Sequence, residues 1–172
     1  MRYHATSKTP IDGLELGILL SDNGAAVRSI DFLWNEPQGR SDGEIAPLAQ
    51  RVQRALVAYF THAEVPEEMP LDLRGTAFQQ RVWRTLRQIP TSDTVSYGEL
   101  AHRLATSPRA VGGACRRNPI PILVPCHRVT AANSLGGFSG ATRGRELELK
   151  EWLIQHEQRC ERRRADSADD GR

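Results

Sequence analysis

Apolar positions change period along the chain. Near the start they come in two dense runs, Leu14-Glu15-Leu16-Gly17-Ile18-Leu19-Leu20 and Val27-Arg28-Ser29-Ile30-Asp31-Phe32-Leu33-Trp34, separated by Asp22-Asn23-Gly24. Such runs around an Asn-Gly pair predict two strands of a hairpin, because both residues tolerate the positive φ of a tight turn. From Ile45 to His62 the apolar residues fall at 45, 48, 52, 55, 56 and 59, the spacing of one helix face. Residues 36–44, rich in Pro, Gly and polar types, predict a loop; Ala63 to Gly75, with two prolines and Glu67-Glu68, predicts a linker.

The second part reads as helices with their own start signals. Thr76-Ala77-Phe78-Gln79 is a capping box, followed by a stripe of Phe78, Val82, Leu86 and Ile89 that Pro90 stops. Trp83 reads as core. Ser96-Tyr97-Gly98-Glu99 is a second capping box, opening a short helix through Leu104 or Ala105. Ser107 as N-cap and Pro108 at the first helical position open a third helix, to about Arg116. Two short helices joined by a turn make a helix-turn-helix. Leu149, Leu153 and Glu157, four apart, mark the core-facing stripe of a last helix. The predicted fold class is an α/β amino-terminal domain (small β-sheet plus helix) and linker over 1–75, then a mostly α carboxy-terminal domain with a helix-turn-helix over 76–158. Residues 159–172 hold alanine as their one aliphatic type and alternate in charge, which predicts a disordered tail with Cys160 as an exposed thiol.

One stretch obeys neither period. Asn118-Pro119-Ile120-Pro121-Ile122-Leu123-Val124-Pro125-Cys126-His127-Arg128-Val129 carries three prolines before its cysteine, which exclude a helix interior and predict a stiff, extended, buried segment. The His127 imidazole and Arg128 guanidinium follow at once, and positive charge beside a thiol can push it from its free pKa of about 8.5 toward the thiolate, so Cys126 is a candidate nucleophile. A merely packed cysteine is the alternative. Neighbouring side chains on an extended segment face opposite ways, so His127 can serve Cys126 only through a turn or a bridging water. Glu157 continues an apolar stripe, where a carboxylate is costly unless it is hydrogen-bonded or charge-paired. His127 is a sensible partner for it. Exposure at a frayed helix end is the other possibility.

Charge adds a partner class. The net +2 conceals 7 Lys and Arg against 11 Asp and Glu in 1–75, but 11 against 6 in 76–158. Within 76–142 there are 8 basic and 2 acidic residues, the footprint of a phosphate-binding surface or of a solvated arginine-rich face. In the third helix, Arg109-Ala110-Val111-Gly112-Gly113-Ala114 holds adjacent glycines, each costing about 1 kcal/mol relative to alanine. Close approach of DNA to that backbone, or helix packing through the glycines, would account for them. Three cysteines without Cys-x-x-Cys spacing suggest neither a disulfide framework nor a zinc site. No run approaches 18 apolar residues and the start lacks a hydrophobic signal region, so a cytosolic protein without a membrane partner is expected.

Pro125-Cys126-His127-Arg128-Val129 resembles the active-site signature of the O6-alkylguanine-DNA alkyltransferases. The resemblance extends, in order and near-family spacing, through Ser96-Tyr97-Gly98-Glu99-Leu100, Arg109 to Ala114, Asn118-Pro119, Gly137-Phe138-Ser139-Gly140 and Lys150 to Glu157. It implies a ribonuclease-H-like first domain and a protein that moves an alkyl group irreversibly, once, from O6-alkylguanine, and by extension O4-alkylthymine, in duplex DNA onto Cys126. The nucleotide would be flipped out from the minor-groove side, with Arg109 filling its place and Tyr97 donating to guanine N3. Ala110, Gly112, Gly113, Arg116 and Arg117 would meet DNA. Carbonyls of Cys126 and Val129 would face the exocyclic amine, the Ser139 N–H would face O6, and Cys115 and Phe138 would form walls. Phe138 stands where tyrosine is common, and Cys115 where the human-type protein has a thioether. His127, reaching Cys126 through water and backed by Glu157, would activate the thiol, and Asn118 would brace the turn. No metal or cofactor is implied. A monomer in solution is expected, with cooperativity on DNA left open. Residues 141–149 exceed the human-type pattern and either lengthen the last helix or form a loop near the pocket. A non-enzymatic damage-sensing relative would lack the cysteine, and a cysteine hydrolase would need a way to activate water.

Overall fold

The structure is a computed structural model that describes residues 3–35, 45–64 and 69–169; the loop predicted at 36–44, residues 65–68 of the linker and 170–172 of the tail lie outside the described residues. Two compact units emerge: Met1–Arg74 with Pro119–Leu123, and Gly75–Asn118 with Val124–Arg172.

The first unit is a three-stranded antiparallel sheet in the order β1(Ala5–Lys8), β2(Leu14–Leu20), β3(Val27–Trp34), with helix α1(Pro47–His62) packed on β1 and β2. β1 is absent from the sequence reading because Ala-Thr-Ser-Lys has no aliphatic run; pairing from Ala5 with Ile18 to Lys8 with Glu15 makes it a strand. The turn between β2 and β3 is longer than a two-residue hairpin. Ser21 N–H donates to the Ala26 carbonyl at 2.8 Å, Gly24 takes φ +69°, and Asn23 Oδ1 accepts from the Ser21 hydroxyl and the Ala25 N–H. α1 buries Ala49, Val52, Ala55, Leu56 and Tyr59, close to the predicted face.

The open edge of β3 is covered, as exposed strand edges invite unwanted pairing. Val27 exchanges hydrogen bonds with Pro70 and Asp72, and Ile30 N–H donates to the Pro119 carbonyl at 3.0 Å. Residues 119–124 do not run extended as predicted: they form bends and turns, with Ile122 at φ +73° and both Ile120 and Ile122 buried. Proline excludes helix but suits turns as well as strands, and the sequence reading missed that second option.

In the second unit α2(Ala77–Leu86) and α3(Tyr97–Arg103) begin with the two predicted capping boxes, closed in both directions. α4(Pro108–Arg116) begins with Ser107 Oγ accepting from the Ala110 N–H at 3.2 Å. Trp83 is buried and its Nε1 donates to the Ala114 carbonyl at 2.9 Å, tying α2 to α4. A two-residue parallel ladder, β4(Val95–Ser96) with β5(Val129–Thr130), is too short to read from sequence. It sets the start of α3 beside the chain that follows Cys126.

α5(Arg145–Asp169) buries Leu149, Lys150, Leu153, Ile154, His156, Glu157 and Cys160. Two expectations change here. The tail from Arg159 is helical as far as Asp169, because its Glu, Arg and Ala residues are good helix formers continuing a packed helix. Cys160 is buried, with its sulfur 3.9 Å from the His156 ring. Residues 141–149 do both things anticipated: 141–144 form a loop and Arg145 onward belongs to α5. Among the described residues no helix is long and apolar enough to cross a membrane.

Candidate active site

Cys126 opens a 3-10 turn, Cys126–Arg128, where the extended segment was expected to end, a turn being one of the two ways open to His127 for serving the thiol. Its N–H donates to the Val124 carbonyl at 2.8 Å. Asn118 Nδ2 donates both to that carbonyl, at 2.7 Å, and to Cys126 Sγ, at 3.1 Å. Asn118 therefore braces the turn and touches the sulfur directly. A 3-10 turn rotates successive side chains by about 120°, which sends His127 and Arg128 inward from a cysteine that faces a cavity.

Behind the turn lies a buried charge network. His127 Nε2 lies 2.7 Å from Glu157 Oε1, the two side chains being 0% and 1% exposed. Arg128 forks onto the same carboxylate, Nε to Oε2 at 2.9 Å and Nη2 to Oε1 at 3.0 Å, while its Nη1 donates to the Ile89 carbonyl at 2.6 Å. Ser92 N–H also donates to Oε2, at 3.1 Å. Burial alone would raise the Glu157 pKa, but hydrogen bonds and charges of His127 and Arg128 hold it well below the usual carboxylate range. An ionised carboxylate only accepts, so His127 Nε2 must donate, and the neutral ring carries its lone pair on Nδ1. Burial, with Arg128 and Lys150 nearby, lowers the His127 pKa against the pull of Glu157. The imidazole is a neutral base held in one tautomer.

The thiol differs from the sequence expectation. Burial raises the Cys126 pKa, and the Asn118 hydrogen bond and the charge of Lys150 only partly oppose it. Arg128, expected to favour a thiolate, faces Glu157 instead. Cys126 rests as a neutral thiol, and a base would be needed to make it a thiolate.

The sulfur lines a cavity of about 390 Å³. Tyr97 of α3, and Pro108, Arg109, Gly112, Cys115 and Arg116 of α4, form one side; Gly137 to Thr142 form the other. Burial, with Cys115 and Cys126 nearby, raises the Tyr97 pKa, and its hydroxyl donates to the Gly137 carbonyl at 3.2 Å. Phe138 and Ala141 exchange both backbone hydrogen bonds at 2.8 Å, so Ser139 at φ +49° and Gly140 at φ +88° form a tight turn at the cavity rim. Ala110, Gly113 and Arg117 lie on α4 or at its end but outside the cavity lining, and Val129 is buried with its carbonyl accepting from Lys150 Nζ at 2.6 Å. Among the described residues no atom other than its own helix backbone and chain neighbours comes within 4 Å of a β-carbon built on Gly113, and the one neighbour of Gly112 is Tyr97 at 3.9 Å. The glycines are open to the outside, and helix packing does not explain them. Among the described residues no group of three or more His, Cys, Asp or Glu is placed to hold a metal ion.

The profile of the 6-O-methylguanine DNA methyltransferase DNA-binding domain matches residues 77–159. The methylated-DNA–protein-cysteine methyltransferase of Haemophilus influenzae is 37% identical over 163 residues, covering 90% of this chain and 86% of that protein. This chain belongs to the methylated-DNA–protein-cysteine methyltransferase family. The constitutive methyltransferase of Bacillus subtilis is 33% identical over 91% of this chain and 96% of its own. The crystal structure of Mycobacterium tuberculosis OGT in complex with DNA superposes with a TM-score of 0.72 at 34% identity, covering 92% of each chain.

The roles of two residues of this methyltransferase-family site do not follow from the sequence reading. Arg128 clamps Glu157 instead of lending charge to the thiol. Lys150, quoted only within the resemblance, lies two helical turns before Glu157 on the same face of α5, the signal that could have found it.

Proposed function

We propose that this chain repairs DNA by direct transfer of an alkyl group from O6 of guanine in duplex DNA to Cys126 Sγ, once per molecule. The carbon–oxygen bond to guanine breaks with its electron pair left on the base, and a carbon–sulfur bond forms. The thiol proton leaves toward His127 Nδ1, through a water where the distance requires one, while Tyr97 gives a hydrogen bond or proton to guanine N3 and the Ser139 N–H faces O6. The product is a thioether, and no group in the site is arranged to hydrolyse it. O4-alkylthymine presents the same alkyl–oxygen bond and is read as a second substrate.

Reaching a base inside the stack requires flipping it out. α3 and α4 are read as a helix-turn-helix with α4 against the minor groove, its open glycines against the DNA backbone and Arg109 filling the vacated space. Arg116 and Arg117, both exposed, are read as phosphate contacts. The first unit, a small antiparallel sheet crossed by one helix, is read as ribonuclease-H-like support. Cys115, Cys126 and Cys160, none of them in a disulfide, suit a reducing cytosol.

The observation that carries this reading is a cavity-facing thiol backed by a buried His127–Glu157 pair. Intact-mass spectrometry after mixing with duplex containing O6-methylguanine is expected to show one added CH2 on Cys126 and none on Cys126→Ser. Repeated turnover, or a methyl group on another residue, would overturn it.

A further inference from the structure

Lys150 has no part in the transfer scheme, yet its side chain is 0% exposed and its ammonium gathers the backbone of the cavity. Nζ donates to the carbonyl of Val129 at 2.6 Å, to that of Gly137 at 3.0 Å, and to that of Leu135. An ammonium has three donors, and three carbonyls take them. The carbonyls come from stretches with different duties. Val129 directly follows the turn that bears Cys126, whereas Leu135 and Gly137 lead into Phe138 and Ser139 on the other side of the cavity. The intervening chain has no helix, and its bridges, Ala131 with Ser134 and Phe138 with Ala141, are isolated.

We propose that Lys150 is a positioning residue for alkyl transfer: its ammonium clamps the wall carrying Phe138 and Ser139 to the turn carrying the acceptor sulfur. The proposal rests on Cys126 being that acceptor. A methionine would fill similar space without the cost of a buried charge, so the lysine is explained by its three carbonyls. Around Nζ stand the Tyr97 ring of α3, 5.6 Å from its centroid, Cys115 of α4, and Cys126 and His127 of the 3-10 turn. Burial pushes the Lys150 pKa down to about 8, against the pull of Cys126 and Cys115. The neutral amine keeps two donors and turns a lone pair toward one carbonyl, so the clamp loosens as pH rises through that value.

Single-turnover methyl transfer to the full chain, followed by intact mass, tests this beside duplex affinity from fluorescence anisotropy. Lys150→Met at pH 7 is expected to slow transfer by about 100-fold, the scale of a small misplacement of reacting groups. Duplex affinity should stay within about threefold, because Lys150 is buried away from DNA. Hydrogen exchange over 131–142 should quicken by about tenfold, while 77–116 is unchanged. Wild-type transfer should fall by about tenfold between pH 8 and 10, as the donor is lost. Transfer by Lys150→Met at the wild-type rate, or unchanged exchange over 131–142, would overturn the clamp. If the variant does not fold, the wild-type series decides, and a rate flat or rising through that window sinks the proposal. A wild type that takes up no methyl group at any pH removes the acceptor reading instead, and the exchange measurement still judges the clamp.

Discussion

His127 Nε2 donates to Glu157 Oε1 at 2.7 Å, and the same carboxylate holds the Arg128 fork. The shared anion has two effects. It fixes the imidazole with Nδ1 as the basic nitrogen, and it balances a buried guanidinium that would otherwise stand alone. Glu157→Gln is expected to slow transfer by about 100-fold or more, the usual contribution of a positioned base. It should also destabilise the fold by about 3 kcal/mol, as breaking a buried pair does. Rapid-quench transfer and urea unfolding measure the two; a rate within twofold of wild type would remove His127 as the base.

The same network fixes the acid behaviour. His127 titrates below its ordinary 6.5, chiefly through burial, so the acid midpoint of transfer should lie below 6.5. Stability should follow with the same sign. Both His127 and Glu157 have folded pKa values below their unfolded ones, so the unfolded chain takes up protons first as pH falls. The loss begins below about 6.5 with His127 and deepens below about 4.3 with Glu157. A transfer midpoint at or above 6.5, or an unfolding midpoint that does not move between pH 7 and 4, would contradict this.

What sequence could read, and what it could not, follows from range. Capping boxes at Thr76 and Ser96 and the Ser107-Pro108 helix start are local chemistry, and each appears where its residues stand. The Glu157 stripe was legible because helical period fixes which side chains share a face. β1 and the β4–β5 ladder were not, since they exist through pairing with distant residues. The Pro119–Val124 turns escaped because proline excludes helix without choosing between strand and turn. Arg128 and the raised Cys126 pKa escaped because adjacency says nothing about direction: the guanidinium beside the thiol in sequence faces Glu157, and burial decides the thiol.

Gly113 separates the proposed DNA role of α4 from its folding role. Among the described residues a β-carbon there meets no atom within 4 Å beyond its own helix backbone and chain neighbours, so Gly113→Ala should stabilise the chain by up to about 1 kcal/mol through helix propensity. On duplex substrate the added methyl stands on the helix face proposed to meet the DNA backbone, and transfer should weaken. Transfer from the free modified base should not change. Arg109→Ala should show the same split, with duplex transfer lost far more than free-base transfer. Equal losses on both substrates, for either variant, would count against α4 as the DNA-facing helix.

Ser139 is read as acting through its backbone. Its φ of +49° lies in the left-handed region beside Gly140 at +88°, and the Phe138–Ala141 hydrogen bonds close the turn around them. Glycine adopts that conformation without strain and keeps the N–H. Ser139→Gly is therefore expected to transfer within about threefold of wild type, the range of an exposed substitution that breaks no contact. Ser139→Pro removes the N–H and fixes φ near −65°, so it should lose about 100-fold or more, the cost of deleting one donor to a developing oxyanion. Single-turnover rates on O6-methylguanine duplex compare the two. A large loss in Ser139→Gly would move the role from the backbone to the hydroxyl.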